Sequence, residues 1–220
     1  MADFLVSRTS PSLLADGSAG AARINGRREL VQFPWLIQAA LEGKVYTAQV
    51  GSVTTPIAFT SGVAANATPE LALRNPVGSG LLFVPIKMEV YWEASAGTIQ
   101  ECYAYVAQND IGAGTSTAVT PINMNTLFAS SNSGLTVARS YSASATTAVN
   151  PVEFWRGGFP TDIDATTAGG GTKFDWSLLQ DGNVPIIGAN GSLALVLGTA
   201  TTATGYIIVT WAEFRTTELL

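Results

Sequence analysis

The feature that most constrains this chain is the alternation of apolar and polar side chains over residues 82–92. The residues between the apolar ones end in Lys87, Glu89, Tyr91 and Glu93. Successive side chains of a β-strand point to opposite faces, whereas a helix would distribute these apolar residues around its whole circumference. The alternation therefore predicts a long strand with a core face made of Leu82, Val84, Ile86, Met88, Val90 and Trp92.

The segment that follows predicts that this strand is one half of a hairpin. Residues 95–97 are typical of a turn, and residues 99–106 alternate again. Cys102 lies on the apolar side of the second segment and is the only cysteine, which predicts a buried thiol and excludes a disulfide within the chain. Two long strands joined in this way are typical of a β-sandwich or jelly roll, so we predict an all-β protein.

Further alternating or apolar segments are separated by residues that favour turns. Pro34 and Gly43 frame the one helix that we expect, because proline suits a first helical position and glycine a helix end. Residues 109–150 are expected to be mostly loop, and the strand at 152–155 is expected to end before Gly157. The other expected strands are residues 44–50, 54–60, 70–74, 135–139, 174–179, 193–197 and 206–214.

Together these segments predict an antiparallel β-sandwich of about eight to ten strands, and more finely a single jelly roll, over residues 31–220. Residues 1–30 are rich in Ser, Ala and Gly and include Arg8, Arg23, Arg27 and Arg28, whose charge is nearly cancelled by acidic residues. Such a segment has too little apolar area for a core and is expected to form an extended arm. The arm either ties one subunit to its neighbour or is a frayed end.

Charged residues are scarce in this chain. They make up 12% of it, against about 25% in an ordinary domain. No segment resembles a membrane span, so the composition predicts that copies of the chain cover one another, although an Ala/Thr-rich monomer would have the same composition. The net charge of −5 disfavours strong binding to nucleic acid. The first residues do not resemble a secretory signal, which predicts synthesis in the cytoplasm.

The chain contains no histidine, which removes the usual general base and the commonest zinc ligand. Three glutamates are candidate catalytic carboxylates: Glu89, Glu93 and Glu101. Glu89 and Glu93 would lie about 13 Å apart along one strand, too far for a glycosidase pair, while Glu101 is expected to come closer across the hairpin. Solvated strand faces commonly carry such residues, so we predict no enzyme, no catalytic residue and no cofactor.

Two other groups of residues suggest binding. The first group is acidic and offers oxygen ligands for calcium: Asp162, Asp164, Asp175 and Asp181. Because aspartate is also a routine turn residue, no metal site is predicted. The second group is aromatic and offers a stacking platform for a sugar or a base: Trp35, Trp155, Phe159 and Trp176. At strand spacing, such residues are more typical of a core or a subunit interface.

The closing segment combines Pro185, residues 190–195 (Asn-Gly-Ser-Leu-Ala-Leu) and residues 206–213 (Tyr-Ile-Ile-Val-Thr-Trp-Ala-Glu). It resembles the jelly-roll structural proteins of viruses, particularly bacteriophages, whose last hairpin often ends in Trp-x-Glu. The resemblance implies a capsid, decoration or fibre subunit and transfers no catalytic residue. The highly basic genome-binding arm of many small-virus shells is missing here.

We therefore expect a self-assembling structural protein that is assembled in the host cytoplasm and located in the virion. Its expected partners are copies of itself and other capsid proteins. The alternative is a receptor- or carbohydrate-binding jelly-roll module. The last strand is apolar on both faces, which predicts either a central strand or one covered by a partner subunit. The expected subunit-interface residues are Arg23, Arg27, Arg28, Trp35, Tyr206 and Ile208.

Overall fold

The computed structural model describes residues 34–59, 69–94, 100–112, 115–129, 138–141, 146–159, 172–197 and 204–219. The predicted arm at 1–30 lies outside these residues, together with its interface candidates Arg23, Arg27 and Arg28. Asp162 and Asp164 also lie outside them.

Twelve strands and three short helices follow one another along the described residues. The strands are β1 (Val45–Val50), β2 (Ile57–Ala58), β3 (Leu71–Arg74), β4 (Leu81–Ala94), β5 (Gln100–Ala107), β6 (Ser116–Val119), β7 (Ile122–Asn123), β8 (Ala138–Tyr141), β9 (Val152–Phe159), β10 (Thr172–Ser177), β11 (Ser192–Leu197) and β12 (Thr204–Arg215). The helices are α1 (Trp35–Leu41), α2 (Leu178–Asp181) and α3 (Thr216–Leu219).

The strands form two six-stranded antiparallel sheets. Sheet 1 has the order β10-β4-β12-β1-β7, with β2 also paired to β12, and sheet 2 has the order β6-β8-β3-β11-β5-β9. Inward side chains of both sheets form one large apolar cluster, whose bulkiest fully buried members are Trp92, Trp176 and Trp211. This arrangement confirms the predicted all-β sandwich.

The predicted hairpin of β4 and β5 is wrong. β4 pairs with β10 and β12 in sheet 1, whereas β5 pairs with β9 and β11 in sheet 2. Val90 of β4 and Cys102 of β5 belong to the same core cluster, so the two strands contribute to one core from different sheets. Alternation predicts which side chains point inward. The pattern is identical whether the second strand lies beside the first in one sheet or across the core in the other sheet, so it cannot predict the partner strand. For the same reason β11 and β12, which the resemblance described as a hairpin, lie in different sheets.

The inward stripe predicted for β4 holds from Met88 to Trp92 and is interrupted at Ile86, although Val84 is also a member of the core cluster. Lys87 and Pro85 pair with consecutive residues of β12, so Ile86 is an extra residue in a β-bulge. On the other side of the bulge Phe83 joins the core, and Ile86 belongs to a smaller cluster under helix α1. The sequence does not reveal this bulge, because β4 carries apolar residues on both sides of it.

The elements differ from the prediction in smaller ways as well. Pro34 precedes α1 rather than starting it, and the single-turn helices α2 and α3 were not expected. β6 and β7 lie in the region expected to be loop, which raises the strand number above the expected range. β9 continues through Gly157, where a Cβ would stand 3.1 Å from the ring of Phe174. Glycine allows that close approach and does not end the strand.

Candidate functional site

The outer face of sheet 1 carries three of the predicted interface residues. Tyr206 and Ile208 alternate with fully buried residues of β12 and are themselves half-buried. Trp35 stands on α1, with its ring centroid 6.4 Å from that of Phe214 near the end of β12. Ile208 and Phe214 are separated by about 20 Å of extended strand. The three candidates therefore share one face of the sheet but occupy opposite ends of it.

β12 is a central strand, with β4 on one side and β1 on the other. Ile208 lies in register with Glu89 of β4 and Gln49 of β1. Farther along the same outer face, Ala212 is fully buried in the cluster under α1. The apolar residues on both faces of β12 thus follow from its central position and from the helix above it, which was one of the two predicted explanations.

The carboxylate of Glu89 is the centre of an ion-pair network near Tyr206. Its Oε1 lies 2.8 Å from Nζ of Lys87 and accepts hydrogen bonds from Lys173 and from the hydroxyl of Tyr91, both at 3.1 Å. The Tyr91 ring stacks on Tyr206 with centroids 4.4 Å apart. Partial burial by itself raises the pKa of Glu89, but its three donors together outweigh that effect and hold the pKa below its ordinary value. The group is therefore ionised at neutral pH and unsuited to act as a general acid.

The candidate catalytic carboxylates do not form a pair. Glu93 is four residues from Glu89 on the same strand, as expected. Glu101 is on β5 in the other sheet, where its carboxylate lies 3.2 Å from the guanidinium of Arg156. The expectation that Glu101 approaches Glu89 across a hairpin is wrong, because the two strands are not neighbours.

The acidic candidates for a calcium site are engaged separately. Asp175 pairs with Lys173 at 3.2 Å, and Asp181 accepts a hydrogen bond from the backbone N–H of Ser177 at 2.8 Å. Within the described ranges, no group of three or more candidate ligands could hold a metal ion.

The aromatic candidates are dispersed as well. Trp176 is fully buried and makes an edge-to-face contact with Phe154, with centroids 5.2 Å apart. Trp155 is half-buried on β9, where Phe159 is the last residue, while Trp35 lies on α1. Trp176 is therefore a core residue, and the three tryptophans do not share a platform.

Cys102 is fully buried in the core, as predicted. Burial raises the pKa of its thiol to about 12. The group is protonated at neutral pH and is unreactive as a nucleophile.

Helix α1 is apolar on its inner and its outer side. Ala39 is buried in a cluster with Val45, Ile86 and Ala212, on the outer face of sheet 1. Ile37 and Leu41 lie one helical turn apart, and each is about half exposed. Apart from Gln38, which donates to Glu42, the helix carries apolar side chains on both sides, and such a helix is normally covered on both. Among the described residues, only its inner side is covered.

A second apolar segment, residues 122–128, lies against the end of this helix. β7 pairs with β1 at the edge of sheet 1, and the backbone N–H of Met124 donates to β1 at 2.9 Å. The side-chain amide of Asn125 donates to carbonyls of the last turn of α1 at 3.2 and 3.3 Å. The Phe128 ring covers Gly43, whose φ is +71° and whose Cβ, if present, would stand 2.4 Å from that ring. Only glycine is suited to this position.

The helix and the segment form one apolar surface, which we name the helix patch. Of its members, only Trp35 was predicted from the sequence. The signal for the others was the lack of any charged residue between Asp110 and Arg139, a stretch in which apolar residues recur. The members of the helix patch are Trp35, Ile37, Leu41, Ile122, Met124, Leu127 and Phe128.

An open pocket of about 360 Å³ lies where β5 and β9 meet the segment before β11. Val152 and Ile186 line it and are largely exposed. The amide of Asn150 donates to the amide oxygen of Gln108 at 2.9 Å on its wall. β9 is the edge strand of sheet 2, so the pocket has a mixed apolar and amide lining at a sheet edge.

Among the residues with described structure, no helix is long and apolar enough to cross a membrane. No protein-family model, no curated protein and no solved structure matches this chain. A function for the chain therefore has to come from its own sequence and geometry.

Proposed function

We propose that this chain is a self-assembling structural protein built on a single jelly roll, most concretely a viral capsid or capsid-associated subunit, in particular of a bacteriophage. The observation that carries the proposal is the helix patch, a broad uncharged surface on a rigid sandwich. Apolar patches of more than a few hundred Å² mark sites of interaction. Charged side chains on a protein's surface keep its copies apart, and only 12% of the residues in this chain are charged.

The order in which the strands pair supports a jelly roll. β1 pairs with β12, β3 with β11, β4 with β10 and β5 with β9, so the pairs are nested from the outside of the chain inward. This nesting is what results when a long two-stranded ribbon folds over into two sheets of four strands. The four remaining strands are insertions: β2 follows β1, and β6, β7 and β8 lie between β5 and β9. The second insertion supplies part of the helix patch.

The proposed mechanism is geometric. The sandwich provides a rigid frame, and apolar surfaces such as the helix patch become buried between copies of the chain. The arm at 1–30 and the loops add contacts that set the curvature of the assembly. Other capsid proteins are further partners, and the place of action is the virion. The net charge of −5 supports a shell that does not bind the genome strongly.

Light scattering coupled to size-exclusion chromatography, followed by electron microscopy, tests this function. We expect particles of many subunits, with closed or regular outlines, over a range of protein concentrations. A folded monomer at all concentrations would contradict the proposal.

The second candidate is a carbohydrate- or receptor-binding module, since lectin domains also use jelly rolls. The pocket beside β9 favours it, because the amides of Gln108 and Asn150 suit sugar hydroxyls. A glycan array separates the two functions. If the chain is a folded monomer that binds a specific glycan, and Asn150→Ala abolishes that binding, the result supports the binding module and not the shell.

A further inference from the structure

The helix patch is large enough to form a stable interface with another protein chain. Its seven side chains range from 44% exposed at Trp35 to 89% exposed at Leu127. Taking about 200 Å² for a fully exposed residue of this size, the seven residues expose about 800 Å² in total, most of it on apolar side chains. A stable interface buries about 800 Å² on each partner. The largest apolar patch of a typical monomer is only about 300–600 Å².

The charges of this region suit contact with an identical surface. Residues 34–41 and 122–129 contain no charged side chain. At the end of α1, Lys44 and Glu42 neutralise each other at 2.8 Å. In a two-fold contact every residue meets a copy of itself or of its neighbours, so a charged patch would repel its own copy. An uncharged patch of this area carries no such penalty.

We propose that the occupant of the helix patch is a second copy of this chain, which applies its own helix patch in a two-fold contact. The inference rests on the proposed self-assembly and names the surface through which two subunits pair. Around the two-fold axis, α1 packs against α1 of the copy through Ile37 and Leu41. The exposed apolar side chains on the outer side of the helix then become buried too.

Two double variants test the contact: Ile37→Lys with Leu41→Lys, and Ile37→Glu with Leu41→Glu. Both positions are half exposed, so the fold should be kept, as circular dichroism would check. Like charges then face each other across the axis, and each variant alone should associate at least about tenfold more weakly than the unaltered chain. A one-to-one mixture places lysines opposite glutamates and should restore pairing as mixed dimers, which native mass spectrometry distinguishes by mass.

Val53→Lys and Val53→Glu are the matched controls, because Val53 is well exposed beyond the opposite end of β1 and should leave pairing unchanged. If the double variants assemble like the unaltered chain, the inference is wrong while self-assembly stands. If the mixture stays as weak as its components, the patch meets a different surface and the two-fold contact is wrong. If the unaltered chain is monomeric and pairs only after deletion of residues 1–33, its own N-terminal segment occupies the patch. Both proposals then fail.

Discussion

Glu89 and Val90 are adjacent on β4, yet their side chains lie in opposite environments. Val90 is fully buried in register with Phe174 on one side and Ile207 on the other. Glu89 faces outward, where Lys87 and Lys173 neutralise it. Each residue therefore tolerates a different kind of replacement.

Val90→Asp should prevent folding, because an unpaired carboxylate in the core costs several kcal/mol. Thermal unfolding followed by circular dichroism should show no cooperative transition. The neighbouring variant Glu89→Gln is the control and should unfold cooperatively. Glutamine is chosen instead of lysine, because a lysine at position 89 would place a third positive charge beside Lys87 and Lys173. Similar loss of folded protein in both variants would mean that the inward face is misassigned.

Glu89→Gln should also change how stability depends on pH. The pKa of Glu89 is lower in the folded state than its ordinary value of 4.5, so its stabilisation is present above that value. It is lost as the pH falls through the folded-state pKa. Denaturant unfolding should therefore show the variant less stable by about 1 kcal/mol at pH 7, and the difference should shrink as the pH falls through the folded-state pKa. Glu101→Gln, on a more exposed carboxylate, should lose less stability at pH 7. If the stability difference between Glu89→Gln and the unaltered chain grew on acidification, the ion-pair network around Glu89 would be excluded as its cause.

At the scale of elements, β12 carries the strongest test. Ile207 is fully buried and Ile208 is half-buried on the outer face beside Glu89. Ile207→Lys should abolish cooperative unfolding, whereas Ile208→Lys should keep the fold because its ammonium can reach water and Glu89. Thermal melts of the two variants provide the measurement. If Ile208→Lys also fails to fold, the outer face of β12 is part of the subunit's own core.

These elements also show what a sequence can and cannot predict. Alternation identified β4, β5 and β12 and the inward side of β12, because pleat geometry is local. It could not predict that β4 and β5 belong to different sheets, since partner choice depends on contacts that are distant in the chain. The bulge at Ile86 was hidden because α1 makes the outer face of β4 apolar at that point.

Of the helix patch, only Trp35 was predicted from the sequence, as one of a group of aromatic residues. Tyr206 and Ile208 were predicted from the apolar residues on both faces of the last strand, and they lie on the same outer face of sheet 1, at its other end. The segment at 122–128 was missed because a strand of two residues has no measurable alternation. Its position beside α1 depends on backbone and amide hydrogen bonds, which composition does not predict.

At the scale of the whole molecule, the character of the helix patch determines how association responds to salt. Salt screens charges but does not weaken apolar contacts, and sulfate strengthens them. Light scattering should therefore show equal or stronger association when sodium chloride is raised from about 0.1 to 1 M. Sodium sulfate should strengthen it further. Dissociation by salt would indicate that ion pairs hold the subunits together.

Deletion of residues 1–28 should separate folding from assembly. The segment has little apolar area, so the unfolding temperature of an isolated subunit should change by less than about 2 °C, which corresponds to under about 1 kcal/mol. The size or yield of assemblies should change, because an arm across a neighbour adds contact area. Differential scanning calorimetry and light scattering measure the two effects. Identical assembly with and without the segment would make it a frayed end.

The central position of β12 also affects the order of events while the chain is being made. Residues 204–215 are translated after the other eleven described strands, yet they separate β4 from β1 in sheet 1. Helix α1, made long before, rests on Ala212 and Phe214 of that strand. A chain still held by the ribosome before residue 204 therefore lacks the middle of one sheet and the support of the helix patch. Under the proposed self-assembly, subunits would therefore pair through the helix patch only after residues 204–215 have been made, which would protect a crowded polysome from premature association.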